Sequence, residues 1–139
     1  MMEIKVLLEK GAFLPEKAHK EDAGFDLRTP VNVIVMPHDS AIVSTGVHML
    51  IPEGYVGMIK SKSGLNVRDD IQIEGVVDAH FTGSIVAKLY NNGNKPKMFA
   101  RGDKITQIVI LPIPEVTLTQ VKELEATDRG NNGFGSTGR

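Results

Sequence analysis

Hydrophobic residues in this chain come in short alternating stretches rather than helical ones, and that spacing limits the fold more than any other property of the sequence. Val31-Val33-Val35, Ile71-Ile73 and Ile85-Ala87-Leu89 place apolar side chains at every second position, the repeat of a strand with one buried face. Pro30, Pro37, Gly46, Pro52, Gly54, Gly64, Gly75, Gly83, Gly93, Pro96, Gly102 and Pro112 interrupt the stretches at short intervals. Many short strands closed by tight turns predict an all-β chain, a jelly-roll-like barrel or sandwich. Only Ser63 to Arg68 suits a short helix. The start, MMEIKVLLEKG, carries Glu3, Lys5, Glu9 and Lys10, lacks the apolar heart of a secretion signal, and reads as part of the fold.

A chain of 139 residues suits one domain around one core. Its net charge of −1 argues against a grip on long nucleic acid, which takes a basic surplus. A phosphate-bearing partner is therefore expected to be a small ligand. No apolar run approaches the roughly 18 residues of a membrane span, so no membrane partner is expected. The absence of cysteine rules out disulfides and thiolate metal sites and suits a reducing, cytoplasmic setting.

The character of the chain changes after Pro112 and Pro114. A last strand is expected around Val116 to Val121, which makes 1–124 a β domain and 125–139 a flexible Gly-rich tail. Gly130, Gly133, Gly135 and Gly138, with Asn131, Asn132, Ser136 and Thr137, cannot support a core. Such a tail is either a frayed end or a lid that orders around a ligand. Phe134, a lone aromatic among glycines, favours the lid.

Two places could carry chemistry. Lys60-Ser61-Lys62-Ser63-Gly64 offers two ammonium groups, two hydroxyls and a glycine amide to phosphates, although a solvated turn would read the same. Asp78 ends the apolar run Gly75-Val76-Val77. It is either a carboxylate made more basic by partial burial or a turn residue capping nearby amides. No Walker motif is present. His19, His38, His48 and His80 lack zinc-site spacing, and Ser63 lacks a nucleophile elbow. Magnesium needs no motif, because it prefers oxygen ligands and can ride on a triphosphate.

Five fragments in order resemble the motifs of the trimeric dUTPase family: AGFDL (Ala23 to Leu27), MIKSKSGL (Met58 to Leu65), GVVDAHFTG (Gly75 to Gly83), RGDKITQ (Arg101 to Gln107) and RGNNGFGSTG (Arg129 to Gly138). The resemblance implies a jelly-roll homotrimer hydrolysing dUTP to dUMP and pyrophosphate with Mg²⁺, limiting uracil in DNA and supplying dUMP for dTMP synthesis. Each site would take its second and fourth motifs from one subunit, its third from another and its tail from the third. An extended chain from Pro112 onward could span roughly 90 Å at about 3.3 Å per residue, enough to cross to a neighbour.

By the same resemblance, Asp78 activates the water that attacks the α-phosphorus. Lys62, Ser63 and Gly64 hold phosphate oxygens, while Gln107 and Asp26 order water and metal from behind, Asp26 through water. A hairpin from Gln72 to Val86, including Val76 and Val77, reads uracil through backbone groups. Phe81 packs under the sugar and excludes a 2′-hydroxyl. Phe134 stacks over the base, and Arg129, Gly135, Ser136 and Thr137 close over the substrate. Three positions depart from the family pattern. Lys62 stands for the usual arginine, a point charge in place of a bidentate fork. Phe81 stands for tyrosine, and His80 occupies a turn position that relatives often fill with glycine or aspartate. Two alternative readings stand against hydrolysis. One is the dCTP deaminase of the same fold, whose proton-shuttling glutamate would fall at Lys88. The other is a nucleotide-gated regulatory protein that binds a protein partner.

Overall fold

The computed structural model describes residues 1–138, and Arg139, the last residue of the expected tail, lies outside them. Eleven strands and one helix follow in order: β1 (Lys5–Leu8), β2 (Gly24–Arg28), β3 (Val33–Val35), β4 (Ser40–Ser44), β5 (Val47–Leu50), β6 (Tyr55–Lys60), α1 (Ser63–Asp69), β7 (Ile71–Gln72), β8 (Glu74–Val77), β9 (Val86–Asn91), β10 (Lys97–Phe99) and β11 (Lys104–Pro112). All ladders are antiparallel, and they form four sheets: β1-β5, β10-β3, β2-β11-β6-β8 and β4-β9-β7.

The sequence periodicity is realised most cleanly in β9, whose residues alternate strictly between exposed and buried. Ala87 and Leu89 point inward there, joined by Leu27, Val35, Val43, Val47, Ile59, Ile71, Ile105 and Ile108 in one continuous core. Every strand except β1 lends that core a buried apolar side chain, and β1 packs Val6 against it. Gly57 lies at a close approach, because an added Cβ would sit 2.7 Å from Ile108 and 2.8 Å from Ile51. The expected helix forms as α1 and ends at Asp70, in the left-handed region at φ 55°.

Two expectations are corrected. No strand forms from Val116 to Val121. The last strand stops at Pro112, and residues 113–132 are exposed, Val116, Leu118 and Val121 among them. A strand needs a ladder partner for its backbone groups, and this segment has none here. The hairpin from Gln72 to Val86 is also different. β8 pairs with β6 and β9 pairs with β4, so 78–85 bridges two sheets, and β8 and β9 share no ladder.

Candidate active site

The second and fourth sequence motifs meet the first in one hollow. β11 lies between β2 and β6, with Gln107 opposite both Asp26 and Lys60, so the three segments reach the same end of their sheet. The hollow holds about 290 Å³ and is lined by Asp26, Lys62, Ser63, Gly64, Lys104 and Gln107, with Asp22 and Gly24 at its border. Asp26 is its centre. The side chain is 7% exposed, one carboxylate oxygen accepts from Lys62 Nζ, and the other lies 3.0 Å from Lys104 Nζ. Burial alone would raise the Asp26 pKa, but the hydrogen bonds and charges of the two lysines outweigh it and hold the carboxyl below its usual value.

Gln107 is held on two sides. Its Nε2 donates to Ser61 O at 3.0 Å, and a Cβ at Gly24 would fall 2.3 Å from its Oε1, so only glycine lets β2 pass this amide. Half of the expected phosphate cradle serves the fold instead. Lys60 pairs with Glu74 at 3.0 Å, and the Ser61 hydroxyl donates to Ile73 O and accepts from Ile73 N–H. That leaves Lys62, Ser63 and Gly64 facing the hollow, one ammonium and one hydroxyl rather than two of each.

The third motif stands elsewhere. Asp78 follows β8 and is exposed, so its own chain does not supply the partial burial that one of its two readings needs. Four rows of the ladder and three strand spacings separate it from Asp26. At about 3.3 Å per row and about 4.8 Å per strand this amounts to roughly 20 Å. Between Asp78 and β9, Phe81 is 47% exposed and folds back over Gly83, where a Cβ would lie 2.5 Å from its ring. His80 occupies the left-handed region at φ 65°, which explains why glycine suits that turn. β8 is the outer strand of its sheet, and β7 covers β9 only at Tyr90 and Asn91. Neighbouring residues of an antiparallel strand turn their backbone groups to opposite sides, so one of Val76 and Val77 presents its groups away from β6. Near Val86 the side of β9 away from β4 has no ladder partner, and Gln72 lies on β7, next to β9.

Among the described residues, the fifth motif makes its hydrogen bonds locally. Arg129 donates to Asn132 O within its own turn, and Phe134, Gly135, Ser136 and Thr137 are exposed. Lys88, at the position of the deaminase glutamate, is exposed on β9 and lies 5.3 Å from the centre of the Tyr90 ring. Sequence reasoning missed two residues. Lys104 lies inside the RGDKITQ motif, whose resemblance implies no role for it. His48 carries no metal-site spacing, and its ring bridges Thr82 O at 2.6 Å and Glu9 Oε2 at 3.0 Å.

A protein-family model described as dUTPase matches residues 10–138. The deoxyuridine 5′-triphosphate nucleotidohydrolase of Corynebacterium glutamicum is 40% identical over 138 residues, covering 96% of this chain and 93% of its own. The enzyme of the same name from Clostridium tetani is 38% identical over 136 residues, covering 96% and 94%. Among solved structures, Staphylococcus bacteriophage 80alpha dUTPase with dUpNHpp matches at TM-score 0.93 and 31% identity, covering 100% of both chains. A mutant dUTPase from phage phi11 of S. aureus, described for its coordination of a structural Mg(II) ion, matches at TM-score 0.83 and 31% identity, covering 90% of this chain and 100% of its own.

Proposed function

The chain belongs to the dUTPase family and is a dUTP diphosphatase, and from that premise we propose that its active site is assembled from three copies of the chain. One observation carries this. The hollow around Asp26 and the carboxylate of Asp78 lie about 20 Å apart across one sheet. A base that far away cannot reach a phosphorus held by Lys62 of its own chain. The exposure of Asp78, Phe81 and Phe134 supports the same arrangement, since it leaves each accessible to a neighbouring copy.

Asp78 of one subunit holds a water molecule and takes its proton as the oxygen attacks the α-phosphorus. The bond from that phosphorus to the α,β-bridging oxygen breaks, and its electron pair leaves with pyrophosphate. A positioned base of this kind is worth about 10²- to 10⁴-fold. Lys62, Ser63 and Gly64 of a second subunit hold the phosphates. Lys62, whose side chain is 28% exposed, exchanges Asp26 for a phosphate oxygen while Lys104 keeps the buried carboxylate neutralised. Gln107, clamped between Gly24 and Ser61 O, orders solvent beside them. Uracil lies between β8 and β9, bounded by Gln72, Val76, Val77 and Val86. Backbone groups left without a ladder partner there would read its donor between two acceptors, and cytosine reverses two of those three positions. Phe81 lies under the sugar. The tail of the third subunit closes the site, with Phe134 on the base and Arg129, Gly135, Ser136 and Thr137 over the phosphates.

The donor set fits magnesium carried in on the substrate. Among the described residues no three carboxylates or imidazoles converge, and both Asp26 oxygens rest on ammonium groups. Asp26 would reach such an ion through water once Lys62 has moved to a phosphate. Bound there, Mg²⁺ would neutralise the phosphates as pyrophosphate departs.

Pyrophosphate release with dUTP, dTTP, dCTP and UTP, with and without EDTA, tests the chemistry. Turnover of dUTP alone, lost with EDTA, is the expected result. Mixing subunits tests the sharing. Asp78→Asn and Lys62→Ala proteins, each nearly inactive, should regain activity when unfolded together and refolded as mixed assemblies, because some sites then combine an intact Asp78 with an intact Lys62. Mixtures that stay inactive would place both residues of a site in one chain.

A further inference from the structure

The segment that joins β8 to β9 is moored along β5 and the residues flanking it. His80 N–H donates to Ile51 O at 3.0 Å, Ile85 N–H to Val47 O at 2.9 Å, and Gly46 N–H to Ser84 Oγ at 3.1 Å. Thr45 donates to Ile85 O through both its N–H and its hydroxyl. In the middle of this row stands His48 on β5, half-buried, with Nδ1 2.6 Å from Thr82 O and Nε2 3.0 Å from Glu9 Oε2. Both partners are acceptors without a proton to give. A neutral imidazole has one N–H, so it satisfies only one of them; the imidazolium satisfies both. Glu9 is itself held in place, its N–H donating to Gly46 O at 2.9 Å.

We propose that His48, as a doubly donating imidazolium, is a positioning residue that holds the 78–83 loop for dUTP and loosens its hold as the ring loses its proton. The inference rests on the reading above that Asp78 and Phe81 of this loop meet the substrate. The hydrogen bond to Thr82 O, and then the one to Glu9, raise the His48 pKa above its usual value. The grip is therefore complete below about pH 6.5 and weakens as pH rises through the higher value of the folded protein. Other charged groups around the ring are few. β1 brings Lys5 and, just beyond its end, Glu9; the loop brings Asp78 and His80; β5 carries no other titratable side chain. On deprotonation the tether to Thr82 loses either its donor or its charge. Charge-assisted bonds are about twice as strong as neutral ones, which corresponds to roughly a fivefold effect on binding.

The test compares the pH dependence of KM and kcat for dUTP in the native protein and in His48→Gln and Glu9→Gln variants, alongside amide hydrogen exchange of Ala79 to Gly83 without nucleotide. Glutamine at 48 keeps one neutral donor at every pH. Relative to that variant, the native KM should be about fivefold lower at pH 6 and converge with it at alkaline pH, with kcat changed less. Glu9→Gln should move the transition toward lower pH. Loop exchange, corrected for its intrinsic pH dependence, should accelerate through the same transition. Identical KM profiles and pH-insensitive loop protection in native and His48→Gln proteins would overturn the proposal. Protection that follows the His48 proton while KM ignores it would keep the tether and overturn the substrate role given to the loop.

Discussion

The hollow around Asp26 and the loop around Asp78 differ in what a single chain can complete. The first is finished: a buried carboxylate balanced by two ammonium groups, an amide clamped from two sides, and backbone held by three ladders. The second is moored at His80, Thr82 and Ile85 but leaves Asp78 and Phe81 facing solvent. A buried carboxylate needs an ammonium at hand at every stage, and one chain supplies two, so that Lys104 remains when Lys62 turns to a ligand. Groups that must meet a substrate need room, and cover for them can come from another copy.

Breaking the exposed half should have the largest effect on catalysis and the smallest on folding. Asp78→Asn is expected to lower kcat by about 10²- to 10⁴-fold with the unfolding midpoint nearly unchanged. A steady-state assay with a thermal melt of the same preparation checks both. Removing the tail from Arg129 onward should come next. Residues 129–138 are largely exposed, so stability should hold while kcat/KM for dUTP falls, by less than with Asp78→Asn, as loss of a closing segment predicts.

Breaking the buried half should reverse the balance. Asp26→Ala strands two lysine charges, and because Lys62 and Lys104 keep 28% and 36% of their side chains exposed, the loss should be about 2 kcal/mol rather than the 3–5 of a fully buried pair. Urea unfolding measures it. The same carboxylate gives a sharper, smaller test. Its folded pKa lies below the reference value of 3.8, so its contribution is present above that pH and is lost as pH falls through the lower folded value. The native protein should lose stability below pH 4 more steeply than Asp26→Asn. Smallest of all, His80→Gly should stabilise the loop by at most about 1 kcal/mol, since relief of the left-handed backbone is offset by a freer unfolded chain. A shifted acidic limb in the pH–rate profile of that variant would give His80 a part in setting the Asp78 proton affinity.

Sequence alone determined the all-β class, the short helix after Lys62, and the order of five motifs, because each is written in residues close together along the chain. Local periodicity decides which side of a strand is buried, and side-chain chemistry decides what can hold a phosphate or take a proton. The tertiary structure decided what register and distance decide. A break in the ladder between Lys104 and Thr106 leaves Ile105 and Thr106 both buried and brings Lys104 onto the face of Gln107 and Asp26, where strict alternation would have put it on the other side. It showed that Lys60 and Ser61 serve the fold, that the residues after Pro112 find no strand partner in their own chain, and that Thr82 and Glu9, far apart in sequence, meet at one histidine. Contacts between distant segments depend on the summed register of every ladder between them, and no short window of residues carries that sum.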